Sequence, residues 1–158
     1  MGQIRLETVS ADGNTPVNSV VQGDTFILNV YAVDLRSEPA GVFAAYVDLF
    51  FKSSLVSLNG DVAFGADFSN GRTYDTNTTD LIDELGAFTS ATTGPSESLL
   101  ASIPFRADAI GAIQFTADPA DDLPANDFLL FGENGAINQD QIIWDIALLE
   151  IVAENEIV

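Results

Sequence analysis

Residues 41–58, GVFAAYVDLFFKSSLVSL, are the longest strongly apolar run in the chain and hold its densest aromatic cluster. Counted back from Phe51 in twos, Leu49, Val47, Ala45 and Phe43 share one face of an extended strand, while Phe50, Asp48, Tyr46 and Ala44 share the other. The first face is wholly apolar and the second is mixed. That asymmetry predicts a central strand with one side in a core and the other side meeting water or a partner.

The remaining sequence repeats the theme in shorter pieces. Residues 3–10 set Ile4 and Leu6 against Arg5 and Glu7 before an Ala-Asp-Gly-Asn turn, and Gly23-Asp24 leads into a strand carrying Phe26, Leu28 and Val30. Residues 34–41, DLRSEPAG, read as a loop, and residues 62–79 as a short strand followed by an irregular loop. For residues 84–89 a strand is preferred to a helical turn begun at Asp80, because Gly86, Phe88 and Thr89 disfavour a helix. Residues 99–106 form a strand whose Pro104 marks an edge or a bulge. Further strands are expected at 112–117, 128–132 and 142–152, with a long acidic loop over 118–127. Some eight or nine short strands with turn-rich connections and no long helix predict one all-β domain over residues 1–158. Its expected architecture is an antiparallel β-sandwich with jelly-roll topology.

Composition narrows the function classes. The chain has 158 residues, no cysteine and no histidine, which removes disulfides, thiolate metal sites, the commonest general base and any Ser-His-Asp arrangement. Five basic against 24 acidic residues give a net charge of −19, the wrong sign for nucleic acid or an anionic membrane surface. The same charge suits divalent cations, basic partners or solubility alone. No apolar run reaches the roughly 20 residues that span a bilayer, and the Met1-Gly2 start leaves room for an excised leader or a larger parent protein.

The acidic residues cluster twice. Asp118, Asp121, Asp122 and Asp127, with Asn126 and two prolines nearby, offer oxygen ligands of the kind calcium takes, although the spacing is not that of an EF-hand; a solvated acidic loop is the alternative. Asp75, Asp80, Asp83 and Glu84 form the second group, for which capping of a helical turn by Asp80 is the simpler account. Paired carboxylates also serve glycoside hydrolysis, but with this many acids nothing in the sequence selects a pair. Asn77-Thr78-Thr79 matches a glycosylation acceptor that matters only in a secretory host. Trp144 is expected in the core, so an aromatic sugar platform would have to recruit Tyr31, Tyr46, Tyr74 and Phe50.

Several of these segments together resemble a cohesin domain. Gly23-Asp24 before the Phe26-Leu28-Val30 strand, Pro39-Ala40-Gly41 leading into VFAAYVDLFF, and then Ser53-Ser54-Leu55-Val56 are similar to its first half. Residues 99–105 followed by Arg106-Ala107-Asp108-Ala109-Ile110-Gly111 resemble a segment of its second half. Lys52-Ser53 stands where cohesins tend to have Asp-Pro, and the acidic 118–127 loop is a further departure, closer to cohesin-like modules within large exported bacterial proteins. The resemblance implies a nine-stranded jelly-roll sandwich without catalytic activity, in a secreted or cell-surface protein. It also implies a dockerin-like protein partner bound on the sheet face whose residues here are Tyr46, Asp48 and Phe50. The alternatives are a carbohydrate-binding module and a structural spacer of a calcium-dependent adhesin.

Overall fold

The computed structural model describes residues 1–89, 96–121 and 127–154. Its strands are β1 (Gly2–Ser10), β2 (Ser19–Val21), β3 (Thr25–Asp34), β4 (Val42–Phe50), β5 (Val56–Leu58), β6 (Ala63–Phe64) and β7 (Asn70–Asp75), then β8 (Leu81–Phe88), β9 (Glu97–Ala107), β10 (Gly111–Pro119), β11 (Leu129–Leu130), β12 (Ile142–Trp144) and β13 (Ile146–Val152). They form two packed sheets, a jelly-roll β-sandwich of the predicted class. One sheet has the order β12-β1-β3-β9-β5, with β6 also on β9; the other has the order β2-β13-β10-β4-β8-β7, with β11 also on β4. All pairings are antiparallel except β1 with β12 and β2 with β13. Among the described residues no helix is long and apolar enough to cross a membrane.

The core follows from the period-two pattern. Ala45, Val47 and Leu49 of β4 lie fully buried against Phe26 and Leu28 of β3, Ile103 and Phe105 of β9, and Phe115 of β10. The Phe105 and Phe115 rings meet across the sandwich at 5.0 Å between centroids, and Phe51 closes edge-on over Phe105 at 5.3 Å. Burying such a ring is worth several methylenes of transfer energy, and truncating one to alanine typically costs ~3–5 kcal/mol.

Three local features show how side-chain chemistry shapes the strands. Pro104 lies between the stretches of β9 that pair with β5 and β6, and its carbonyl accepts from the Asn59 N–H at 2.9 Å. Its missing N–H therefore faces a gap where no neighbouring strand requires a donor. The closing segment, expected as one strand, breaks at Asp145 into β12 and β13, which belong to different sheets. There the Asp145 carboxylate accepts from the Leu6 and Ile146 N–H groups at 3.0 and 2.9 Å, holding the crossing. Within the stretch expected as an irregular loop, β7 pairs with β8 as an edge strand.

The start of β4 is held by a buried ion pair. Asp34, at the end of β3, accepts from the Arg36 guanidinium at 2.7 and 2.9 Å and from the backbone N–H groups of Arg36, Ala40 and Gly41 at 2.9–3.1 Å. Arg36 also donates to the Phe131 carbonyl at 2.7 Å. The 35–41 loop is thereby drawn around one carboxylate, and Gly41, at a φ of +104° that side chains resist, turns the chain into β4.

Candidate functional site

The outer face of β4 is the centre of the seven-stranded sheet. Phe50 of β4 lies opposite Thr116 of β10, which lies opposite Ile146 of β13, so these three side chains form a row across the face. Phe50 is 40 % exposed, Ile146 47 % and Leu148 63 %. Tyr46 and Asp48 share this face with Phe50 but sit deeper, at 9 % and 5 %. The Tyr46 ring lies over Gly86 of β8, where a Cβ would come within 2.3 Å of it; only glycine admits this close approach.

One placement differs from the alternation read in the sequence. Phe43 was expected with Ala45 in the core, but Val42 takes the inner side and Phe43 packs outside with Ala44, Tyr46, Phe88 and Leu129. The pairing of β4 with β11 shifts register between Leu129 and Leu130, which breaks the alternation at the start of β4. These outer residues, with Gly71, Thr73 and Asp127, line a mostly apolar depression of about 470 Å³.

Beside it lies a group of acids. The β4–β8 register shifts between Val47 and Leu49, so that Asp83 and Glu84 of β8 bulge opposite Asp48. Glu84 sits at a φ of +49°, unusual for a residue with a side chain, and donates its N–H to Asp48 Oδ1 at 2.9 Å. Asp121, just after β10, completes the group: one carboxylate oxygen from each of Asp48, Asp83, Glu84 and Asp121 lies within 4.8 Å of the others. Both Glu84 carboxylate oxygens are shut off from solvent, and neither receives a hydrogen bond from any N–H or hydroxyl among the described residues.

The electrostatics follow from that crowding. Burial, with Asp83 and Asp121 adding like charge against the stabilising Glu84 N–H, pushes the Asp48 carboxyl up to about 7. Burial together with Asp83, Asp48 and Asp121 pushes Glu84 up to about 8. No cationic side chain answers them. Arg5 pairs with Glu97 and Glu7, Arg36 with Asp34 and Glu133, and Arg106 with Asp108; Arg72 donates to the Phe68 and Gly65 carbonyls, and Lys52 stands by Asp80. Those are all five basic residues of the chain.

The sequence-predicted metal residues are spread over this region. Of Asp118, Asp121, Asp122 and Asp127, only Asp121 joins the four-carboxylate group; Asp118 is exposed opposite Asp48, and Asp127 borders the apolar depression. Asp122 lies outside the described residues. From the second sequence cluster, Asp83 and Glu84 enter the group, whereas Asp80 accepts from the Ser53 N–H at 2.8 Å in the turn after β4 instead of capping a helix. Sequence reading assigned Asp48 to a partner face and Glu84 to a capped turn. The signal available for joining them was a lone aspartate inside an otherwise apolar strand.

No protein-family profile matches the chain, and no curated protein matches it in sequence. Solved structures do match its fold. A cohesin module from a family 33 glycoside hydrolase of Clostridium perfringens superposes with a TM-score of 0.69 over 97% of this chain and 98% of that one, at 12% identity. The seventh type I cohesin of ScaB from Pseudobacteroides cellulosolvens gives 0.68 over 96% and 92%, also at 12% identity. The third cohesin of ScaC from Acetivibrio cellulolyticus, solved in complex with the ScaB dockerin, gives 0.63 over 97% and 100%, at 16% identity. The sandwich of β1–β13, with a bulged β8 beside a central β4, is thus a cohesin fold.

Proposed function

We propose that this chain is a non-catalytic attachment module that docks a protein partner, dockerin-like in the first instance, on the outer face of the seven-stranded sheet. The observation that carries this reading is the set of apolar side chains left uncovered there: Phe50 on β4 and, across β10, Ile146 and Leu148 on β13, together with the depression lined by Phe43, Tyr46, Phe88 and Leu129. A partner side chain of aromatic or aliphatic kind has a pocket to fill, and the acidic rim of Asp118 and Asp127 favours a partner with basic residues around that anchor. Tyr46 and Asp48 then shape the floor of the face, while Phe50 is the member of the sequence-predicted trio that reaches a partner directly. The cohesin fold supports the reading, as does the dockerin seated on the Acetivibrio module. A secreted or cell-surface location belongs to the same proposal.

The non-catalytic part rests on chemistry. Carboxyls with raised pKa values are candidates for general acids, but a glycosidase pair flanks an open cleft that holds the bond it cleaves, and both Glu84 oxygens here are closed to solvent. Of the aromatics a sugar platform would recruit, three are engaged: Arg5 covers Tyr31 at 4.2 Å, Tyr74 packs on Phe64, and Tyr46 is 9 % exposed over Gly86, which leaves Phe50 alone on the surface.

The test is capture by the immobilised chain, run beside a Phe50→Arg, Leu148→Arg variant, from secreted proteins of the source organism and from polysaccharides. The account expects a protein retained by the native chain and lost from a variant that melts normally. Retention of polysaccharide would favour the carbohydrate-binding alternative, and retention of nothing a spacer. Equal capture by the variant would put the interface on another face.

A further inference from the structure

The four-carboxylate group of Asp48, Asp83, Glu84 and Asp121 gathers acidic charge that no basic residue of the chain answers. It lies at a bulge of the central strands, with Asp48 only 5 % exposed. All five basic side chains are committed elsewhere, as described above. The Glu84 carboxylate is the sharpest sign: it is aimed into the group, both of its oxygens are closed to water, and none of the described N–H or hydroxyl groups donates to it. Its polar neighbours are the Asp83 and Asp121 carboxyls, which can donate to it only by holding a proton, so the fully ionised group loses its hydration without a counter-charge.

We propose that Asp48, Asp83, Glu84 and Asp121 bind one calcium ion. Opposite oxygens around calcium, at ~2.3–2.6 Å from the ion, stand ~4.6–5.2 Å apart, so oxygens within 4.8 Å of one another are close enough to share one calcium shell. Magnesium needs closer, near-octahedral ligands and keeps most of its waters, which four crowded protein carboxylates do not suit. Zinc and copper prefer nitrogen or sulfur donors, and this chain has neither histidine nor cysteine. The site differs from a collection of surface acids because two strands in fixed register set Asp48, Asp83 and Glu84, and both Glu84 oxygens are closed to water with no N–H or hydroxyl donor among the described residues.

The ion would also stitch the β8 bulge and the segment after β10 to β4, so its binding should be read out in stability. The test uses the full chain at pH 7.5, melted in chelator and in millimolar calcium, with magnesium in parallel, and titrated calorimetrically with calcium. The expected result is a rise of several degrees in calcium, smaller in magnesium, and one ion per chain. Glu84→Gln and Asp121→Asn should each weaken calcium binding at least about tenfold, while Asp118→Asn and Asp127→Asn leave it within about twofold. Both weakening variants keep the shape of the native side chain, and their melts in chelator report whether they fold. An unchanged native melting temperature without calorimetric binding would overturn the proposal. So would a calcium response that survives in Glu84→Gln and Asp121→Asn, which would put the ion elsewhere on the acidic surface.

Discussion

Asp34 and Asp48 are both nearly inaccessible aspartates on core strands, at 2 % and 5 % exposure, and they have opposite electrostatic fates. Burial alone would raise the Asp34 carboxyl, yet Arg36 and three backbone N–H groups hold it down at about 2. Asp48 receives one backbone N–H and faces three other carboxylates, and burial takes it to about 7. One acid brings its counter-charge from two residues away; the other has none in the chain. The difference separates a structural clamp, complete in itself, from a site that is completed from outside.

Removing the clamp should have the largest effect. Asp34→Ala removes the one carboxylate on which the Arg36 guanidinium and the backbone of the 35–41 loop converge, and should cost ~3 kcal/mol or more in urea unfolding. A loss under ~1 kcal/mol would erase the contrast. Glu84→Gln should move the opposite way in chelator at pH 8, stabilising by ~1 kcal/mol as a repelling buried charge is removed.

The pH dependence should separate the two regions by sign. The Asp34 pKa is lowered from 3.8, so its contribution is present above that value and is lost as pH falls toward about 2. Asp48 and Glu84 are raised from 3.8 and 4.5 to about 7 and about 8, so the folded state holds extra protons. Their contribution is complete at low pH and is lost as pH rises through about 7 to 8. Melting temperatures in chelator should therefore fall between pH 5 and 8, less steeply in Glu84→Gln, and the fall should shrink in calcium. The smallest effect on stability belongs to the proposed docking face. Phe50→Ala should change unfolding by under ~0.5 kcal/mol, while Tyr46→Ala, losing the ring packed over Gly86, should cost ~2 kcal/mol or more.

Much of the sandwich was legible because burial on one side imposes alternation. β3 and β4 announced themselves through Phe26, Leu28 and Val30 and through Ala45, Val47 and Leu49. The strand β7, NGRTYD, gave no such signal because it is an exposed edge paired only with β8. Phe43 was misplaced because its side is set by pairing with β11, some 85 residues on, which no local pattern carries. The outer face of β4 was visible as the mixed side of an apolar strand. The carboxylate group was not, since Asp48 and Asp121 are distant in sequence and only the bulge at Asp83 and Glu84 brings them together. Asp34 and Arg36, two residues apart at a strand end, carry opposite charges within the loop-like DLRSEPAG segment, a local pairing signal the sequence does contain.

The contrast between the two regions is tested most directly by following side-chain carboxyl carbons by NMR over pH 2–9 in chelator and again in calcium. The account predicts that Asp34 stays ionised down to about pH 2 and that Asp48 and Glu84 titrate as a coupled pair in steps near 7 and 8. In calcium the pair should remain ionised well below those values. Titration of all three acids near pH 4, unchanged by calcium, would contradict it.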